Sequence, residues 1–112
     1  MELIYNGKIA GVSFEPARSG ILKLAADVKK MEDIKVRLRH NPQNEYDSNA
    51  LEVWAHFSTK PEMFLGHVPK PFNLKCLDVG LENLEIKFEQ FTVQSSKIVG
   101  AIIEVIKKEM TL

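Results

Sequence analysis

Tyr46 and Asp47 stand side by side at the centre of the segment Asn41-Pro42-Gln43-Asn44-Glu45-Tyr46-Asp47-Ser48-Asn49-Ala50-Leu51. A phenol ring offers a face on which a planar group can stack. The adjacent carboxylate accepts a hydrogen bond from a hydroxyl, and the surrounding side-chain amides both donate and accept. Loops of this kind, carried between strands of a small scaffold, are where binding chemistry concentrates. Just before the loop, Lys35, Arg37 and Arg39 recur at every second position and put three cations on one face of a strand, either a solvated face or a track for a phosphate backbone. Two roles are open to Asp47, because Asp and Asn also cap their own backbone in turns. Tyr46 is likewise read either as a ligand-facing ring or as a plug at one end of the fold. Asn49 and Ala50 are read as the entry to the following strand.

Other chemistries find less support. His40, His56 and His67 lack the short paired spacings of zinc sites, and Cys76 is the only cysteine, so neither a cysteine-based metal site nor an internal disulfide is expected. No nucleophile with a partnered base stands out, and there is no Gly-x-x-x-x-Gly-Lys-Ser/Thr phosphate loop. The expectation is a non-enzymatic binding protein without cofactor or metal.

The elements that must position the loop are mostly strands. Ile34, Val36 and Leu38 alternate with the three cations, and Leu51, Val53, Ala55 and Phe57 alternate with Glu52, Trp54 and His56; the two runs are natural antiparallel neighbours. Further strands are expected over Lys8 to Phe14, ended by Glu15-Pro16, and over Phe64 to Val68, closed by Pro69. Leu84, Ile86 and Phe88 alternate, whereas Phe91 and Val93 fall out of phase, which places a bulge near Glu89-Gln90. Ile98 to Ile106 is apolar on both faces, as in a central or barrel-closing strand. Helical spacing of Ile21, Leu24, Ala25 and Val28 after a candidate cap at Ser19 predicts a helix over Gly20 to Lys30. A second helix is expected over Pro71 to Val79, with Phe72, Leu74, Cys76 and Leu77 supplying its buried side and Gly80 ending it. Phe88, Phe91 and Trp54 are assigned to core or sheet packing. The sum is a mainly β chain, read as a small OB-like β-barrel of about six strands with two short α-helices.

With 112 residues, 45% apolar and 27% charged, the chain suits one domain over 1–112. No apolar run approaches the roughly 20 residues that cross a bilayer and no secretory leader pattern opens the chain, so a cytoplasmic protein with no membrane partner is expected. Net charge is zero, which argues against nucleic-acid binding by bulk electrostatics alone. The distribution is uneven, however. Residues 1–40 carry eight Lys/Arg against five acids and hold all three arginines, whereas the remainder carries seven against ten.

Three segments in order, Ile9-Ala10-Gly11-Val12-Ser13-Phe14, the Asn41–Leu51 loop, and Leu65-Gly66-His67-Val68-Pro69-Lys70 ahead of a helix, resemble the HIRAN domain. That family has a Gly-Val-Ser-Phe-like strand end, then a Pro-x-Asn-Pro-Tyr-Asp-x-Asn-Ala-Ile loop, then a Gly-Tyr/His-Val/Leu-Pro-Lys/Arg turn. The resemblance spans roughly residues 8–80, and its middle motif is the specific part. It implies an OB-like barrel that captures the 3′ end of single-stranded DNA, in DNA repair or replication-fork processing, with a helicase or nuclease acting in trans. By position, it implies Asp47 as acceptor of the terminal 3′-hydroxyl and Tyr46 and Phe14 as stacking faces. Asn44 would hydrogen-bond nearby, with His67 and Lys70 near phosphates. Glu45 stands where the family carries proline and brings a negative charge to this place. The alternative expectation is a protein-interaction or assembly module, such as a homodimer, in which the apolar C-terminal strand pairs with another chain.

Overall fold

The computed structural model describes residues 2–109. It is mainly β, with two three-stranded sheets and two short α-helices. In the first sheet β1 (Glu2–Lys8), β6 (Lys97–Lys107) and β5 (Leu84–Gln94) lie in the order β1-β6-β5. The second consists of β2 (Ile34–His40), β3 (Leu51–Phe57) and β4 (Met63–His67), in chain order. All pairings are antiparallel. Helix α1 (Ala17–Asp27) packs on β4 and β6, and α2 (Asn73–Val79) follows a 3-10 turn over Lys70–Phe72. No helix among the described residues is long and apolar enough to cross a membrane.

The alternation in the sequence decides which face of each strand is inside. Ile34 and Leu38 of β2 are buried, as are Leu51, Val53 and Ala55 of β3, while Lys35, Arg37 and Arg39 remain exposed. Leu65 on β4 and Ala101, Ile103 and Val105 on β6 join them, with Ile21 and Leu24 from α1 and Cys76 from α2, in one apolar cluster. Burying each of the larger side chains contributes about 1.5 to 3 kcal/mol relative to exposure. β2 and β3 pair in unbroken register from Ile34 with Phe57 to His40 with Leu51, so the loop of interest spans the end of a continuous ladder. β6 lies between β1 and β5 because its residues are apolar on both faces. Its backbone is engaged by β5 from Lys97 to Lys107 and by β1 from Ile102 to Lys107. The register of β5 against β6 shifts between Phe88 and Gln90, at the expected bulge, and Phe88 and Phe91 meet edge to face with ring centroids 4.8 Å apart.

Several details differ from expectation. The first strand runs over Glu2–Lys8, not Lys8 to Phe14. Ile9 and Ala10 continue past it, and Gly11, at φ +77°, then turns the chain so that the Phe14 N–H donates to the Gly11 carbonyl at 3.2 Å. A left-handed φ is inexpensive only for glycine. Helix α1 begins three residues early, at Ala17, and ends at Asp27, where Val28 is extended. Ser19 lies inside its first turn, where the Glu15 carboxylate accepts from its backbone N–H at 2.7 Å and from its hydroxyl; the side chain reaching back is a preceding glutamate and not the serine. Helix α2 begins at Asn73 and not at Pro71, which lies with Phe72 in the preceding 3-10 turn; Leu74 is exposed, and Cys76, Leu77 and Phe72 are packed.

One local feature sets the wall beside the loop. Ala10 and His67 form an isolated antiparallel bridge, with Ala10 N–H donating to His67 O at 2.8 Å and His67 N–H to Ala10 O at 2.9 Å. Gly66 permits it: its φ is +127°, and a Cβ there would lie 2.4 Å from the Ala10 carbonyl oxygen.

Candidate functional site

The Asn41–Ala50 loop is built by its own polar side chains. Asn41 continues the β2–β3 ladder by donating its N–H to Ala50 O at 2.9 Å. Its Oδ1 accepts from Gln43 N–H at 3.1 Å. Three residues on, Asn44 Oδ1 accepts from the N–H groups of Tyr46 and Asp47 at 2.9 and 3.0 Å. Three further on, Asp47 Oδ1 accepts from Asn49 N–H at 2.9 Å. Spaced three apart, these residues close successive Asx turns, so short side chains do the work of a backbone ladder. His40 Nε2 adds a clamp, donating to the Ser48 carbonyl at 2.8 Å.

That scaffold leaves Tyr46 projecting, 84% exposed, while Asp47 is half-buried and turned toward the protein. The second Asp47 oxygen, Oδ2, accepts from Nδ2 of Asn73 on α2 at 2.9 Å. The Asp47 carboxyl is held below the usual aspartate range, first by the Asn49 N–H, against partial desolvation, and further by the Asn73 amide and the charges of Lys70 and His40. The carboxylate is therefore ionised at neutral pH and positioned from two sides.

A cleft of about 360 Å³ opens beside it. One wall is the loop, through Asn44, Tyr46, Asp47 and Ala50; a second is the bridge, through Ala10, Gly11, His67 and Val68; Lys70 from the 3-10 turn and Asn73 from the start of α2 complete it. Of the eight residues singled out in the sequence, Asn44, Tyr46, Asp47, His67 and Lys70 come together here. Asp47 serves both of its open roles at once, as turn former and as cleft wall. Asn44 spends its carbonyl on the loop backbone. The His67 and Phe64 rings meet nearly at right angles, at 5.3 Å between centroids, and Phe64 in turn meets Trp54 at 5.4 Å.

Phe14, Arg37 and Arg39 are elsewhere. Phe14 is 74% exposed on the turn after Gly11 and is not part of the cleft wall. Arg37 reaches across the neighbouring strand to Glu62, donating from Nε at 2.6 Å and from Nη2 at 2.7 Å; the pair raises the pKa of the guanidinium and lowers that of the carboxyl through the same hydrogen bonds. A cation so engaged is not a free phosphate contact. Arg39 is exposed on the same sheet face, in a shallow groove with Asn41, Gln43, Glu52 and Trp54.

Asn73 is the residue that sequence reasoning missed. It is 3% exposed and shares a helix face with Cys76 and Leu77, three and four residues on. A polar residue on that apolar stripe was the available signal. Among the described residues, no three His, Cys, Asp or Glu side chains are grouped to hold a metal ion.

Fold and cleft together define a small mainly β protein with an aromatic, an ionised carboxylate and a lysine around one opening. Comparison with family models, with curated proteins and with solved structures found no match.

Proposed function

We propose that this protein is a non-enzymatic module of HIRAN type that binds single-stranded DNA at its 3′-hydroxyl end. The observation that carries the reading is the meeting of Tyr46, Asp47, His67 and Lys70 around one cleft, although they come from the β2–β3 loop, the end of β4 and the 3-10 turn after it. Tyr46 is the stacking face, tolerant of any base because every base has a π-face. Asp47, ionised and held by Asn49 and Asn73, accepts the terminal hydroxyl and repels a terminal phosphate. Lys70 and His67, on the cleft wall, meet the preceding phosphate, a contribution that weakens with salt. The contact between β2 and β5 supports reading the two sheets as halves of an OB-like barrel. In this reading the protein serves DNA repair or fork processing beside a helicase or nuclease acting in trans.

Fluorescence anisotropy with single strands ending in a 3′-hydroxyl or a 3′-phosphate, at two salt concentrations, tests the proposal. The hydroxyl end is expected to bind more tightly at both, with both affinities falling as salt rises. Equal binding of the two ends defeats end capture, and absence of any salt-sensitive binding leaves an assembly role as the better reading.

A further inference from the structure

Asn73 Oδ1 is buried with no hydrogen-bond partner in the structure. Burying an unpaired carbonyl is costly, and the residue that carries it lines the cleft. Its orientation follows from its neighbour. Turning the amide over would set Oδ1 against Asp47 Oδ2, two acceptors with no proton between them, so the carboxylate claims Nδ2 and leaves Oδ1 unsatisfied. Asp47 has capacity left as well: an ionised carboxylate has about four acceptor sites, and Asn49 and Asn73 occupy one on each oxygen.

Two acceptors, on cleft-lining side chains already bonded to each other, thus lie together beside one opening, with Asn73 Oδ1 buried just behind its wall. A single hydroxyl satisfies one of them; hydroxyls on adjacent carbons satisfy both. Resting on the end-capture reading above, we infer that the cleft prefers a 3′ end whose terminal sugar is ribose, the 3′-hydroxyl donating to Asp47 and the 2′-hydroxyl to Asn73 Oδ1. Asn73 is then the residue that selects the sugar. The 2′-hydroxyl is the group by which a protein distinguishes ribose from deoxyribose at a given position, and its donated bond would satisfy the carbonyl that Asn73 buries without a partner.

The test uses single strands of one DNA sequence, labelled at the 5′ end and differing only in the last sugar: deoxyribose, ribose, 2′-O-methylribose, or deoxyribose bearing a 3′-phosphate. The ribose end is expected to bind about tenfold more tightly than the deoxyribose end, the scale of one hydrogen bond that satisfies a buried acceptor. The 2′-O-methyl end is expected to show no such gain, because an ether oxygen cannot donate. Asn73→Ala should reduce the ribose advantage to nothing, and the ratio of the two affinities is read rather than either alone. Should that variant fail to fold, ribose against 2′-O-methylribose on the unaltered protein carries the test. Equal binding of ribose and deoxyribose ends, with the 3′-phosphate end still weaker, overturns the sugar preference and leaves end capture standing. Indifference to all four ends overturns both.

Discussion

Asn73 Nδ2 donates to Asp47 Oδ2 at 2.9 Å, across 26 positions of sequence. This bond ties the Tyr46 loop to the first turn of α2, and the cleft lies along the seam.

Because Asp47 also accepts from Asn49 N–H, Asp47→Ala releases two donors and is expected to lower the thermal midpoint as well as abolish discrimination between hydroxyl and phosphate ends. Asp47→Asn keeps an acceptor for Asn49, and the Asn73 amide can turn to offer its Oδ1 to the new amide, so the midpoint should fall less. A calorimetric series in which the two variants melt alike would argue against this bonding pattern.

The depressed Asp47 carboxyl gives a signed pH effect. An aspartate whose folded-state pKa lies below its unfolded value of about 3.9 stabilises the fold above that value, and the contribution is lost as pH falls through the folded-state pKa. The stability difference between the unaltered protein and Asp47→Asn should therefore be constant near neutrality and shrink below about pH 4. Urea midpoints measured across that range check it; a difference that does not shrink in acid contradicts it.

Tyr46, 84% exposed, is expected to matter for binding and not for folding. Tyr46→Ala should leave the unfolding midpoint unchanged and weaken single-strand binding by about 1 to 3 kcal/mol, the worth of one stacked base, while Tyr46→Phe retains most of the affinity. Loss of binding in the Phe variant would move the function from the ring face to the hydroxyl.

Lys70 and Arg37 should behave differently in salt titrations. Lys70→Ala is expected to reduce the dependence of log affinity on log salt by about one phosphate contact, whereas Arg37→Ala, removing a cation already committed to Glu62, should leave the slope unaltered. Its effect on stability should be within about 1 kcal/mol, as for exposed pairs generally. Equal slope changes would place the strand over the sheet face and not at the cleft.

Gly66→Ala is expected to destabilise by at least about 1 to 3 kcal/mol, the scale of a residue held in a sparsely allowed φ/ψ region, since the new Cβ would sit 2.4 Å from Ala10 O at a φ of +127°. Chemical denaturation measures the loss. A folded variant should also bind less well, because the Ala10–His67 bridge forms one wall of the cleft.

Where a local pattern carries the information, the sequence was readable. The alternation of Ile34, Val36 and Leu38 with three cations placed β2, the phase break after Phe88 placed the bulge, and an apolar run on both faces marked β6 as central. β1 was not readable: it is largely exposed, has little alternation to detect, and exists because β6 pairs with it. The turn at Gly11 hid inside a run that reads as a strand, since nothing local reveals that the chain reverses there to meet His67.

By itself the sequence determined the chemistry available at the loop, through a phenol, a carboxylate and turn-forming Asp and Asn residues, because those properties depend on residue type and on neighbours a few residues away. Tertiary structure alone decided which of these groups face a common opening. It sent Arg37 to Glu62 and Phe14 away from the cleft, and it brought an unnoticed asparagine from α2 against Asp47. Such contacts depend on how sheets and helices pack around Leu51, Leu65 and Ile103, and packing over tens of residues leaves no period in the chain.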